Sequence, residues 1–233
     1  MPKQLNDVYR EFQLDLAALK EKVGARKPRI LLHVCCAPCG EYPYKQLLEE
    51  GFDVKVLFYN PNIHPIEEWK LRKHNVEIFS HLHHADCSYD DTYLESNWRN
   101  INSKFQEDHC RMCYQMRLDF AAKAAYEFNC DTFTTSLFVS PWQRHEMLKI
   151  SARVSGKKLK MPFYYEDFRV GYRLGQNMAR EDGLYRQRYC GCIFSLGESK
   201  YSDKIIKDHI NSITAADIPR RYLRETGELV PIR

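Results

Sequence analysis

Leu5, Val8, Phe12, Leu16, Leu19 and Val23 recur at intervals of three and four, so residues 5–23 predict an amphipathic helix. Gly24 and Pro28 close it, one by backbone freedom and the other by withholding an N–H. The apolar run Arg29-Ile30-Leu31-Leu32-His33-Val34 predicts a buried strand. It ends in Cys35-Cys36-Ala37-Pro38-Cys39-Gly40, and a helical pattern from Glu41 to Glu50 then stops at Gly51. Val54 to Tyr59 predicts a second strand, ending in the turn Asn60-Pro61-Asn62. Strand, helix and strand within about 35 residues predict a parallel βαβ unit. Such folds bind ligands at the carboxyl edge of the sheet. Here the turn at that edge carries three cysteines.

A helix from Glu67 to about Ile78 leads to another short strand and a polar stretch rich in His and Asp. Met116, Phe120, Ala124 and Phe128 form one stripe of a helix over residues 113–128. Asp131 to Phe138 predicts a third good strand, capped by Ser140-Pro141. Helical patterns fill 142–155 and 173–182, with a last short strand near Lys158 to Pro162. The tail after Ser199 is charged and reads as helical. No repeat, low-complexity tract or Pro/Ser-rich linker interrupts the chain. The expectation is a Rossmann-like three-layer α/β domain with a mostly parallel sheet over residues 29–198. A helical extension precedes it over 1–28, and the charged tail follows over 199–233.

Composition narrows the function. The 233 residues are 44% hydrophobic and 28% charged, which argues for a folded chain, and the formal charge is only +4. No stretch approaches the roughly 20 apolar residues of a membrane span. Met1-Pro2-Lys3-Gln4 opens a polar amphipathic segment rather than an apolar signal core, so the expectation is a cytoplasmic protein without a membrane partner. Neither GxxxxGK nor GxGxxG occurs, so neither nucleotide fingerprint is available. Nine cysteines remain to be explained. In a reducing compartment, cysteines grouped at short spacings point to metal or redox chemistry.

Cys110-Arg111-Met112-Cys113 can present two thiolates to one metal, or act as a dithiol at a helix start. Cys35 and Cys36 would face opposite ways on a strand but can converge at a strand-to-helix turn. Together the two pairs make a four-thiolate set that suits either tetrahedral zinc or a [4Fe–4S] cluster. Cys190-Gly191-Cys192 can close a small strained disulfide of the labile or catalytic kind, with Arg186 and Arg188 favouring thiolates. Extra metal ligands or a buried turn explain the same three letters. Cys39 can serve a second metal, a redox step or only a helix start. Cys87 and Cys130 read as small apolar groups. His81, His83, His84 and Asp86 fit no standard metal spacing and read as a solvated polar loop.

Five segments carry a resemblance: LLHVCCAPCG (31–40), FYNPNIHPIEEW (58–69), HCRMCYQMRL (109–118), DTFTTSLFVSPW (131–142) and LYRQRYCGCIFSL (184–196). In this order, from about 30 to 196, they resemble the epoxyqueuosine reductases of the QueH type. The resemblance implies a metalloenzyme that reduces the epoxide of epoxyqueuosine in the tRNA anticodon loop to the cyclopentene of queuosine, without cobalamin. It implies that Cys35, Cys36, Cys110 and Cys113 hold a [4Fe–4S] cluster and that Cys190 and Cys192 are a redox-active pair. It also implies an additional iron beside the cluster, near Cys39, and an external electron donor.

The chemistry is coherent, because removing an epoxide oxygen needs two electrons and protons, which a cluster and a dithiol can supply. For the tRNA, Arg169, Arg173, Arg180, Arg186 and Arg188 interleave with Tyr164, Tyr165, Tyr172, Tyr185 and Tyr189. That is the mixture of phosphate and base contacts RNA requires, although a solvated basic face with core tyrosines gives the same letters. Asn60, Asn62, Thr134, Thr135 and Ser136 are candidate substrate contacts, or turn and cap residues. Three rivals stand beside this reading. An ATP-dependent tRNA thiolation enzyme would want an SGGxDS phosphate loop where this chain has CCAPCG. A zinc-stabilised RNA-binding protein would use the cysteines structurally, and a simple thiol–disulfide oxidoreductase leaves the vicinal pair unexplained.

Overall fold

A computed structural model of the chain describes residues 16–99 and 106–210, with two short strands at Tyr222–Leu223 and Leu229–Val230. The first helix, α1, covers Leu16–Val23, so only this part of the helix expected over 5–23 falls within the described residues. Strand β1 (Arg29–Val34) is buried at every position after the first, as an aliphatic run must be when both sheet faces are covered. Helix α2 (Ala37–Glu49) carries the chain to β2 (Asp53–Tyr59), and α3 (Ile66–Leu82) carries it to β3 (Asp86–Asp90). Helices α4 (Glu95–Arg99) and α5 (Gln106–Glu127) precede β4 (Thr132–Thr135).

The strands lie in the order β3-β2-β1-β4, all parallel. The register sets Arg29 against Asp53, Ile30 against Thr132 and Lys55 against Asp86. The chain therefore winds outward from β1 to β3 and then returns to the other side of β1. A crevice opens where the order reverses, beyond the carboxyl ends of β1 and β4. On the helical layers, α5 lies against β1, β2 and β4 with α6 (His145–Leu159) packed on it, and α7 (Tyr172–Glu181) packs on α2. This is the expected three-layer α/β architecture. Among the described residues no helix is long and apolar enough to cross a membrane.

Three details depart from the sequence pattern. The strand expected over 131–138 stops at Thr135, because the Thr135 Oγ1 accepts the Leu137 N–H (3.2 Å) and starts a 3₁₀ turn over Ser136–Val139. The strand expected near 158–162 does not form. Helix α6 runs to Leu159, Lys160 ends it in the left-handed conformation (φ 52°), and only Phe163 bridges to Phe133 of β4. The tail contains the expected helix, α9 (Ser202–His209), after the short α8 (Ile193–Glu198). It also holds an antiparallel pair, β5 (Tyr222–Leu223) with β6 (Leu229–Val230), which its charge pattern did not suggest.

The histidine-rich stretch is divided among these elements. His81 lies in the last turn of α3, His83 caps it, and Asp86 opens β3 and pairs with Lys55 and Arg29. His83 turns instead toward the buried Glu41, with Nε2 3.1 Å from Oε2.

Candidate metal and redox centre

The sheet's switch point is occupied by sulfur. Cys35 leaves β1, and its backbone N–H donates to Ser136 Oγ (3.3 Å), which ties the two strand ends together. Cys36 is extended (φ −171°, ψ 162°) and caps α2, so the chain changes direction between the two cysteines. Adjacent thiols that a strand would send to opposite faces therefore meet, with sulfurs 3.7 Å apart. Cys39, in the first turn of α2, completes a buried group whose three sulfurs all lie within 4.8 Å of one another.

Hydrogen bonds from the Cys36 and Cys39 thiols hold Cys35 well below the usual thiol range, aided by the positive charges of Arg117 and Arg72. Burial pushes Cys36 up, and the hydrogen bond to Cys35 pushes Cys39 up. One thiolate is thus stabilised among three sulfurs, a soft donor set suited to zinc or iron–sulfur chemistry.

Cys110 and Cys113 lie on α5. The Cys113 sulfur accepts from Asn62 Nδ2 (3.1 Å) and from Arg117 Nη2 (2.7 Å), one helical turn further on. Arg117 also reaches Asn60 Oδ1 (3.4 Å). Burial pushes both thiols up to about 12. Among the described residues, the compact sulfur group is therefore Cys35, Cys36 and Cys39. Cys110 and Cys113 stand apart from it, with the Arg117 side chain in contact with Cys113.

The Cys190-Gly191-Cys192 turn is gripped from below. Arg72 donates from Nη1 to the Cys190 carbonyl and from Nη2 to the Tyr189 carbonyl, both at 3.0 Å. Its Nε is bonded to the equally buried Glu68 (2.7 Å), which also accepts from the Tyr185 hydroxyl (2.8 Å). The His64 N–H donates to the Gly191 carbonyl (2.8 Å), and the Ile193 N–H donates to His64 Nδ1 (3.2 Å). Gly191 sits at φ +143°, where a Cβ would lie 3.2 Å from both Arg72 and Ile63. The Cys190 sulfur is exposed and accepts from Gln143 Nε2 (3.4 Å). Cys192 lies against Ser195 (3.6 Å), and burial pushes its thiol up to about 12.

Two cavities adjoin here. One, of about 310 Å³, is lined by Cys110, Cys113, Cys190 and Cys192 together with Asn62 and Arg117. The other, of about 300 Å³, is lined by Cys35, Cys39 and Gln187, whose Nε2 donates to Cys39 Sγ (3.3 Å). Trp142, Gln143, Arg188, Tyr189 and Cys190 border both.

The polar residues singled out in the sequence are mostly buried. Asn60 donates to the Val34 carbonyl (2.8 Å), Thr135 pairs with His33 Nδ1 (2.9 Å), and Ser136 holds Cys35. Thr134 is buried with its hydroxyl unpartnered, whereas Asn62 faces the first cavity with Oδ1 unpartnered. Tyr185 and Tyr189 belong to the Arg72 network. Arg186 is exposed, and Arg188 pairs with Asp208 (2.5 Å) at the rim. Arg169, far from being free for phosphate, is paired with Asp167.

Sequence reasoning missed Arg72, Glu68, His33, Arg117, Gln143 and Gln187. Glu68 and Arg72 did leave a trace, a charged pair four apart on a helix whose neighbours Trp69 and Val76 are apolar. The two glutamines left none.

Fold and site together define a doubly wound α/β protein with thiol-lined cavities at its switch point. A family model described as "Epoxyqueuosine reductase QueH" matches residues 30–198, and the chain belongs to that family. A protein named Epoxyqueuosine reductase QueH from Dehalococcoides mccartyi is 36% identical over 173 residues, covering 72% of this chain and 92% of the relative. Proteins of the same name from Acinetobacter baylyi and Streptococcus pyogenes serotype M1 are each 32% identical. They cover 78% and 80% of this chain and 86% and 77% of their own lengths. Among solved structures, the U34-tRNA thiolase NcsA from Methanococcus maripaludis with its [4Fe-4S] cluster overlays 83% of this chain and 73% of its own. The TM-score is 0.44 at 16% identity, too weak a likeness to support the thiolation reading.

Proposed function

We propose that this protein reduces the epoxide of epoxyqueuosine in a tRNA anticodon loop to the alkene of queuosine. The observation that carries the reading, beyond family membership, is the ring of Cys35, Cys39, Cys110, Cys113, Cys190 and Cys192 around two cavities that meet at Cys190. Few other side chains can deliver electrons, and here the oxidisable ones face the space where a substrate would lie.

In this reading Cys35, Cys36, Cys110 and Cys113 hold a [4Fe–4S] cluster, with Cys39 beside the vicinal pair for an additional iron. Support comes from the buried group of Cys35, Cys36 and Cys39, in which the Cys35 thiol is held well below its usual range. Cationic Arg117 balances thiolate charge, and Cys110 and Cys113 face the adjoining cavity. Bound there, such a cluster would supply single electrons at low potential, and iron would add Lewis acidity.

The protein's own groups do the rest. Cys190 and Cys192 close a disulfide and release two electrons and two protons. These take the epoxide oxygen to water as its two C–O bonds break and the alkene forms. An external electron donor then reopens the disulfide. Gly191 lets the turn bend, while Arg72 and His64 fix its carbonyls, so the sulfurs change partners on a held backbone.

Anaerobic purification with a visible spectrum and iron, zinc and sulfide analysis tests the reading. A brown protein with about four or five irons per chain supports it. A colourless protein with one zinc replaces it with the zinc-stabilised RNA binder.

A further inference from the structure

Trp142 stands 83% exposed on the border of both cavities, whereas the other two tryptophans, Trp69 and Trp98, are 6% and 1% exposed. An indole in water forgoes the burial that the rest of the aromatic core enjoys, so a ligand that covers it gains apolar contact. The loop beneath it is built rather than loose. Pro141 precedes it, the Trp142 N–H donates to Ser140 Oγ (3.3 Å), and the Gln143 N–H donates to the Ser140 carbonyl (3.3 Å). The next side chain, Gln143, accepts from the Tyr114 hydroxyl (2.7 Å) and donates to the Cys190 sulfur. Trp142 is therefore held out from the surface by a backbone anchored directly to the redox turn. Arg144 and Arg188 line the same cavity, with Arg188 paired to Asp208 at its rim.

We infer that Trp142 is a nucleobase platform, on which a base flanking the modified nucleoside stacks when that nucleoside enters the sulfur-lined cavity. The inference rests on the tRNA reading above. Trp142 borders the cavities while its indole stays largely in solvent, so it is placed for a group at their mouth. A nucleoside drawn into the cavity leaves its neighbour in the loop without a stacking partner. The exposed indole offers that neighbour a new face to stack on.

The test uses the full chain and a synthetic anticodon stem–loop RNA. Because the other two tryptophans are buried, the red-shifted, quencher-accessible emission reports on Trp142. RNA binding is expected to quench it. Trp142→Ala is expected to weaken RNA binding roughly tenfold, and Trp142→Phe to restore most of the affinity. In turnover, Trp142→Ala raises KM for the tRNA while kcat at saturation holds. Stem–loops with an abasic nucleotide on either side of the modified position identify the base: its loss weakens the wild type but leaves Trp142→Ala unchanged.

Unquenched emission at saturation, or equal RNA affinity of Trp142→Ala and wild type, overturns the platform. So does the absence of coupling to either abasic position. A wild type that binds no RNA and reduces no epoxide overturns the tRNA reading itself, and the two failures are thus distinguishable.

Discussion

Arg72 Nη1 lies 3.0 Å from the carbonyl oxygen of Cys190, so a guanidinium buried in α3 holds the backbone of the Cys190-Gly191-Cys192 turn. The same guanidinium is paired with Glu68 and lies over the Tyr189 ring at 5.5 Å. Removing one partner of a buried ion pair leaves the other charge uncompensated, which costs about 3–5 kcal/mol. Arg72→Met is therefore expected to lower the unfolding free energy measured by urea titration by an amount of that order. Replacing both partners, as Arg72→Met with Glu68→Leu, recovers much of the loss. Equal stability of Arg72→Met and wild type would show that the turn does not depend on this grip.

Gly191 predicts a second effect at the same turn. At φ +143° an L side chain is strained, and its Cβ would press on Arg72 and Ile63. Gly191→Ala is expected to cost about 1–3 kcal/mol and to slow formation of the Cys190–Cys192 disulfide under mild oxidant. Thiol titration against time checks it, with the total thiol count unchanged.

The two sulfur groups separate by variant. Cys35→Ser is expected to abolish most bound iron, because it removes the stabilised thiolate from the buried group. Cys190→Ser leaves an exposed position altered, keeps the iron and stops repeated turnover. Iron and sulfide analysis beside turnover counts measures both. Loss of iron from Cys190→Ser at wild-type stability would move that cysteine into the metal site.

Much of this was legible in the chain, for identifiable reasons. The run Ile30–Val34 and its cysteine turn placed β1 and the switch point, because a strand buried on both faces needs a continuous apolar stretch. The meeting of Cys35 with Cys36 followed from the turn between strand and helix. The grouping of Cys39 with them, ahead of Cys110 or Cys113, did not follow from spacing, since it depends on where α5 packs. Asn60, Thr135 and Ser136 read from their polarity as substrate contacts or as turn and cap residues, and their hydrogen bonds go to β1 and its turn, in keeping with the second role. Arg72, thirty-seven residues from the cysteine turn at 35, could be linked to Cys190 only by the fold.

His83 predicts a pH effect on stability. Its hydrogen bond to the Glu41 carboxylate holds the imidazolium above the usual histidine range. Folding therefore favours the protonated form. The stabilisation is complete below the unfolded value of about 6.5 and fades as pH rises through the higher folded value. His83→Gln keeps a donor without the charge. It is expected to be about 1 kcal/mol less stable than wild type near pH 5.5, with the gap narrowing toward about pH 9. A gap that widens with pH contradicts this pairing.

The most direct test of the central claim is nucleoside analysis of tRNA bearing epoxyqueuosine after anaerobic incubation with the iron-loaded protein and a reductant. The account predicts conversion of epoxyqueuosine to queuosine, seen as loss of one oxygen atom, by the wild type and not by Cys190→Ser under repeated turnover. Unchanged epoxyqueuosine with a fully iron-loaded wild type would contradict it.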